Sequence, residues 1–199
     1  MECSTKKSII SFLKKIEKDI WVVLLLAIIS AYTIFNLKHW NKQDRVIVWD
    51  VISYYGYLPA TFIYDDVTLQ NPNEEFKDSN HTFWYHKTDE GRKIFKTSMG
   101  MSILYSPFFF LSHIYVLATD GVASGFSPPY KFGLAMSSLF YFVLGFIFMR
   151  KVLRKFYDES VVAITLLLIG LGTNLYYYTV IGVGMPHVYL LALFSLLIF

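Results

Sequence analysis

Asp50 is the first residue in this sequence whose type and position could support chemistry. It lies near the start of VWDVISYYGYLPATFIYDD, residues 48–66, an aromatic and aliphatic stretch that follows a long apolar run. A carboxylate there could serve as a general base or as a metal ligand. The competing interpretation is a cap at the N-terminus of a surface helix, where a carboxylate stabilises by about 0.5–2 kcal/mol. At helical spacing Asp50 shares a face with Tyr54, and Tyr55 is the next residue.

Lys96 is the second such residue, and it precedes the apolar segment TSMGMSILYSPFFF. A helix N-terminus presents free backbone N–H groups and a lysine adds positive charge, so together they can hold a phosphate. Gly100 would allow the phosphate a close approach. Alternatively, Lys96 only marks a membrane interface, as lysines often do at helix ends.

His187 is the third, at the start of an apolar helix in GVGMPHVYLL. A histidine in this position can bind a metal or donate to a phosphate, and the alternative is a histidine held by packing. Asp50 and His187 are therefore the candidate ligands for a divalent metal. We interpret Asp65 and Asp66 as a solvated turn, because adjacent residues do not share a helical face. The Asn-His-Thr triplet at 80–82 matches a glycosylation sequon.

Composition places these residues in a membrane protein. Of the 199 residues, 55% are hydrophobic and 17% are charged, against about 45–50% and about 25% in soluble domains. Long apolar runs account for the difference, so membrane lipids are expected partners. The formal charge of +3 is too small to indicate a nucleic-acid partner, and one cysteine cannot form an internal disulfide.

Four apolar segments predict an all-α, polytopic membrane protein. They cover residues 20–37, 99–118, 132–149 and the region from 161 to 199. Each is long enough for a spanning helix, for which about 20 residues are needed. A polar loop at residues 38–98 separates the first two segments and holds most of the acidic side chains.

Basic residues predict the direction of the chain. Residues 1–19 carry five lysines and are predicted to form a cytoplasmic amphipathic tail, and RKVLRKF at 150–156 is a second cytoplasmic cluster. Two clusters on one side require an even number of crossings between them, so one of the three intervening segments does not cross. We expect this to be 99–118, which carries serines, a proline and a histidine, and which would then lie along the outer surface or dip in and back.

This topology places loop 38–98 and the turn at 182–186 outside. The stretch from His187 to Phe199 is shorter than a spanning helix. It predicts that residues 20–199 are the N-terminal part of a longer transmembrane domain, and that this chain alone is inactive.

Four motifs in this order resemble the membrane glycosyltransferases of the C superfamily (GT-C), which includes protein O-mannosyltransferases and lipid A aminoarabinose transferases. The motifs are WDVISYYGYLPA, KTSMGMSILYSPFF, FMRKVLRKF and GTNLYYY followed by GMPHVY. The resemblance extends from about residue 20 to residue 199, and it also favours a surface position for 99–118.

The resemblance implies transfer of a sugar from a polyprenyl-phosphate-linked donor to an acceptor hydroxyl at the outer face of a membrane. Asp50 would be the catalytic residue, Lys96 would contact the donor phosphate, and His187 would lie near that phosphate or a metal. Tyr54 and Tyr55 would pack on the substrate. The expected location is a bacterial inner (plasma) membrane, with the N-terminus in the cytoplasm. The rival hypothesis is a non-enzymatic polytopic protein, such as a transporter or an assembly scaffold.

Overall fold

The computed structural model describes residues 17–72 and 85–199, so most of the predicted tail and the sequon at 80–82 lie outside the described residues. The described chain is mostly helical, as the sequence predicts. The helices are α1 (Lys18–Leu37), α2 (Asp50–Tyr55), α3 (Tyr57–Phe62), α4 (Gly100–Ala118), α5 (Pro128–Leu153), α6 (Glu159–Gly172), α7 (Asn174–Val180) and α8 (Pro186–Ile198). A 3-10 turn at His39–Asn41 follows α1. One small antiparallel hairpin, which the sequence did not predict, pairs β1 (His86–Lys87) with β2 (Lys93–Ile94).

Three described helices are long and apolar enough to cross a membrane: α1 with the turn that follows it, α4 and α5. The pair α6 and α7 is bent by 61° and would pass the same test as one broken span. These segments match the predicted apolar runs. The break between α6 and α7 lies at the polar residues around Thr173.

Helix α5 lies at the centre and contacts α1, α4, α7 and α8. Two prolines in its first turn have a fixed φ that suits a helix start. Arg150 and Lys151 in its last turn stabilise the helix, because their positive charge lies at the negative end of the helix dipole. Small residues permit close approach to the neighbouring helix. A β-carbon at Gly145 would lie 3.1 Å from the backbone nitrogen of Ala192, so α5 and α8 pack backbone to backbone there.

One end of the helix bundle is closed by an ion cluster, defined here as Glu17, Asp19, Arg150 and Arg154. Asp19 is fully buried, with its Oδ1 3.0 Å from Arg150 Nε and its Oδ2 3.4 Å from Arg154 Nε. Glu17 pairs with both guanidinium groups as well. The cluster therefore joins the start of α1 to the end of α5, and these two ends lie together.

The opposite end, called the loop end, carries the long connection between α1 and α4. Trp40 packs edge-on against Phe132 near the start of α5, with ring centroids 5.2 Å apart. Chain direction follows from these contacts: α1 runs from the ion cluster to the loop end, and α5 runs back. Helix α8 runs parallel to α5, from Tyr189 beside Ser138 to Phe199 beside Phe148.

Helix α4 packs closely on α5 at Gly133, near the loop end. A β-carbon there would lie 2.9 Å from the Phe108 carbonyl oxygen, so only glycine allows this contact. The middle of α4 thus meets the first quarter of α5. The position of α4 along a membrane surface remains a prediction.

The three serines and His113 of α4 have hydrogen-bond partners, which weakens the sequence argument against burying this helix in lipid. Ser106 and Ser112 donate to carbonyls one turn earlier in α4 itself. His113 Nδ1 lies 2.6 Å from the Tyr130 hydroxyl, and Ser102 donates to the Tyr54 carbonyl. These three serine hydroxyls and His113 Nδ1 therefore each meet a polar atom of the protein.

Candidate functional site

The segment around Asp50 forms two six-residue helices, α2 and α3, rather than one surface helix. Asp50 is the first residue of α2, and the N-cap position belongs to Trp49, whose side chain makes no capping hydrogen bond. The capping interpretation of Asp50 is therefore wrong in its strict form. Its carboxylate lies in the first turn, where the helix dipole still favours negative charge.

Trp49 adopts a backbone conformation that a residue with a side chain rarely takes, with φ 51° and ψ −129°. Its side chain is 77% exposed. Such a conformation costs about 1–3 kcal/mol and is commonest at functional sites. The strained residue, Trp49, directly precedes Asp50 in the chain.

The structure brings together Asp50 and Lys96, which the sequence analysis considered separately. Lys96 Nζ lies 3.7 Å from Asp50 Oδ1, and the two side chains are 57% and 58% exposed. An ion pair this open to water contributes little to stability, about 0–1 kcal/mol. Both groups can also turn towards a ligand.

Two contacts of Tyr57 hold the residues on either side of Lys96. The Tyr57 hydroxyl donates to the Thr97 carbonyl at 2.6 Å, and its ring stacks on Phe95 with centroids 3.8 Å apart. These contacts hold the backbone on both sides of Lys96, while its side chain stays 57% exposed beside Asp50. The sequence did not predict the contact of Tyr57 with residue 97, because no local pattern shows which of several tyrosines reaches that residue.

Tyr54 is half-buried and lies beside the Asp50–Lys96 pair. Burial raises the pKa of Tyr54, and the nearby Asp50 carboxylate raises it further. The Tyr54 carbonyl accepts a hydrogen bond from Ser102, which fixes α2 over the first turn of α4. Tyr54 therefore keeps its predicted place next to Asp50.

Tyr55 lies elsewhere. Only 1% of it is exposed, its hydroxyl donates to the Gly125 carbonyl at 2.7 Å, and its ring packs near Tyr105, Phe109 and Phe126. The prediction of Tyr55 as a substrate contact is corrected by this burial. Adjacent helical residues point about 100° apart, so one tyrosine can face the surface while the next enters the core.

The start of α4 is open. A β-carbon at Gly100 would meet no atom within 4 Å, and Lys96 lies just before this helix. The first backbone N–H groups of a helix have no partner within the helix. An anion of phosphate size can approach this turn while Lys96 supplies positive charge.

His187 is exposed and stacks on Tyr178, with ring centroids 3.9 Å apart and planes only 3° from parallel. It follows the 182–185 loop, where Gly184 has φ +87° and where an added β-carbon would lie 2.8 Å from Val51. That close contact places the loop against α2. Val51 is the residue that follows Asp50 in the sequence. His187 thus belongs to the loop end, with one ring face covered by Tyr178.

The metal prediction gains no support from clustering. Within residues 17–72 and 85–199, no three His, Cys, Asp or Glu side chains form a group that could hold a metal ion. Asp50 forms an ion pair with Lys96, and His187 stacks on the ring of Tyr178. A metal shared by Asp50 and His187 remains a prediction.

Comparison with known proteins does not bear on the function of this site. No family model, curated protein or solved structure matches the chain.

Proposed function

We propose that this chain belongs to a membrane glycosyltransferase that moves a sugar from a polyprenyl-phosphate-linked donor to an acceptor hydroxyl at the outer face of the membrane. The observation that carries the proposal is the half-exposed Asp50–Lys96 pair beside the open start of α4. It combines a group that can accept a proton with a group that can hold a phosphate.

The chemistry of transfer requires both groups. The acceptor hydroxyl needs a base within hydrogen-bond reach, and that is the role of Asp50. The departing lipid phosphate gains negative charge, which Lys96 and the first N–H groups of α4 stabilise. In the absence of substrate, the two side chains neutralise each other across 3.7 Å.

The location of the pair also fits a lipid-linked donor. The carrier tail stays in the bilayer while the sugar must reach water, so the reaction takes place at the membrane face. Asp50 and Lys96 lie at the loop end, opposite the ion cluster. The basic clusters of the sequence favour a cytoplasmic ion cluster, and the loop end is then the outer face.

Exchange of Asp50 tests the proposal. We expect Asp50→Asn in the native membrane-embedded protein to lower turnover about 100- to 10,000-fold, because an amide cannot act as a general base. Turnover is measured as release of polyprenyl phosphate from donors carrying mannose or aminoarabinose, with the thermal midpoint recorded for each variant.

Asp65→Asn is the matched control. Asp65 is an exposed carboxylate of the same loop with φ 52°, a conformation that asparagine tolerates well. Its turnover should equal that of the unaltered protein. Normal turnover in a folded Asp50→Asn protein would contradict the proposal and would favour a transporter or scaffold.

A further inference from the structure

A second feature of the loop end lies between the 3-10 turn, the middle of α4 and the first turns of α5. It is a groove of about 660 Å³. Its walls are mainly apolar and include Trp40, Phe108, Leu111, Phe132 and Met136. Sites for small ligands usually measure about 300–1,000 Å³, so the groove can hold a molecule rather than a single water.

A polar recess of about 340 Å³ adjoins this groove. The two share Trp40, Asn41 and Pro128 in their walls, and the recess adds Lys42 and Lys131. An apolar channel that is continuous with a cationic recess suits an amphiphile with an anionic head.

Lys131 is the residue of the recess that most strongly indicates an anionic ligand, because it carries a charged group and is only 5% exposed. Its ammonium donates to the carbonyls of Lys42 at 3.0 Å and Gln43 at 2.8 Å. An ammonium has three N–H groups, and these two carbonyls occupy two of them. The third can be satisfied by a phosphate oxygen, which would also offset the cost of burying the charge.

The local charge favours an anion over a neutral headgroup. The cations that line the recess are Lys42 and Lys131, and the acidic neighbour of Lys131 is Asp44. Two positive groups against one carboxylate leave a surplus of one.

The groove also runs along α5, which is the direction that an acyl chain beside a spanning helix would take. Its walls follow α5 from Pro128 to Met136, a rise of about 12 Å at 1.5 Å per residue. The recess lies at the loop end, and the groove extends towards the middle of the bundle. On α4, Leu111 is 67% exposed and Tyr115 is 59% exposed, so the rim is apolar and accessible from the side.

We propose that this groove and recess bind an anionic phospholipid of the surrounding bilayer, with the phosphate at Lys131 and Lys42 and one acyl chain between α4 and α5. The site uses the middle of α4, whereas the Asp50–Lys96 pair lies at its start. The inference therefore does not depend on glycosyl transfer.

Trp40 provides the probe. In a variant in which Trp21, Trp49 and Trp84 are replaced by phenylalanine, Trp40 is the remaining tryptophan. This protein is reconstituted in phosphatidylcholine with a small fraction of phosphatidylglycerol that carries brominated acyl chains. A second sample contains the same fraction of brominated phosphatidylcholine, and bromine quenches tryptophan only at close range.

We expect brominated phosphatidylglycerol to quench Trp40 at a several-fold lower mole fraction than brominated phosphatidylcholine. Lys42→Gln, a change of an exposed residue, should weaken this preference about fivefold, which corresponds to about 1 kcal/mol per lysine. Lys131→Gln should weaken it at least as much, provided that the thermal midpoint shows a folded protein. Lys151→Gln, at the ion-cluster end, should leave it unchanged.

Equal quenching by the two lipids would overturn the proposal, as would a preference that survives in folded Lys42→Gln and Lys131→Gln proteins. Relief of quenching by polyprenyl phosphate but not by unbrominated phosphatidylglycerol would assign the groove to a different lipid and would also overturn it. The quenching experiment does not measure turnover. Failure of the lipid-binding proposal can therefore be told apart from failure of the proposed function.

Discussion

The ion cluster and the Asp50–Lys96 pair both join carboxylates to cations, but they lie at opposite ends of the bundle and differ in burial. Asp19 is completely buried and its two oxygens meet two different arginines. Asp50 is more than half exposed, and the ammonium of Lys96 is 3.7 Å from its carboxylate.

This difference separates a structural role from a functional one. A buried carboxylate without its arginines would be an uncompensated charge, so the cluster keeps α1 and α5 together. The contact of Asp19 with Arg150 is mainly Coulombic, because the Arg150 N–H is not well directed at the oxygen although the atoms are 3.0 Å apart. An exposed pair is weak, and weak pairs can exchange partners when a substrate arrives.

The largest stability effect is expected at the ion cluster. Asp19→Asn should lower the free energy of unfolding by about 3–5 kcal/mol, because it leaves two guanidinium groups short of a buried partner. Denaturant unfolding in detergent micelles measures this loss, with Asp65→Asn as the surface control. A loss below about 1 kcal/mol, the range of exposed pairs, would remove the contrast between the two ends.

An intermediate effect is expected at Tyr55, in the core beneath the Asp50–Lys96 pair. Tyr55→Phe should cost about 1–3 kcal/mol, because the buried Gly125 carbonyl loses its donor. Tyr115→Phe, at an exposed tyrosine of α4, is the matched control and should change little.

The same tyrosine predicts a pH dependence. Burial raises the pKa of Tyr55 well above its ordinary value, so the unfolded chain loses this proton first as the pH rises. Stability should therefore be intact below about pH 10 and should decline above it. The decline should be shallower in Tyr55→Phe, and identical slopes in the two proteins would contradict the buried position of this hydroxyl.

The smallest stability effect is expected at Lys96. Lys96→Gln should change the free energy of unfolding by less than about 1 kcal/mol, because the pair with Asp50 is open to water. Under the proposed function, the same change should raise the KM for the lipid-linked donor. A large loss of stability would show that the pair is structural, like the ion cluster.

Sequence was sufficient to predict the long helices, because apolar runs and their flanking charges are local patterns. The prediction that the start of α1 and the end of α5 both face the cytoplasm rests on basic residues alone and remains a prediction. The ion cluster itself was not predicted, since Asp19 follows several lysines and its arginines come from a distant part of the chain.

Prediction of the site was less complete. Asp50 and Lys96 were identified one by one, but their proximity depends on how the loop folds back over α4. Tyr54 faces the surface and Tyr55 enters the core because of their contacts with Ser102 and Gly125. Such contacts between distant residues leave no periodic signal in one sequence.

The most direct test of the contrast compares Asp50→Asn with Asp19→Asn in one series, recording the free energy of unfolding and the turnover per folded molecule. We expect Asp50→Asn to lose less than about 1 kcal/mol of stability and about 100- to 10,000-fold in turnover. Asp19→Asn should show the reverse, a large loss of stability with near-normal turnover in the folded fraction. Equal turnover in the two folded variants would contradict the assignment of Asp50 to the chemistry.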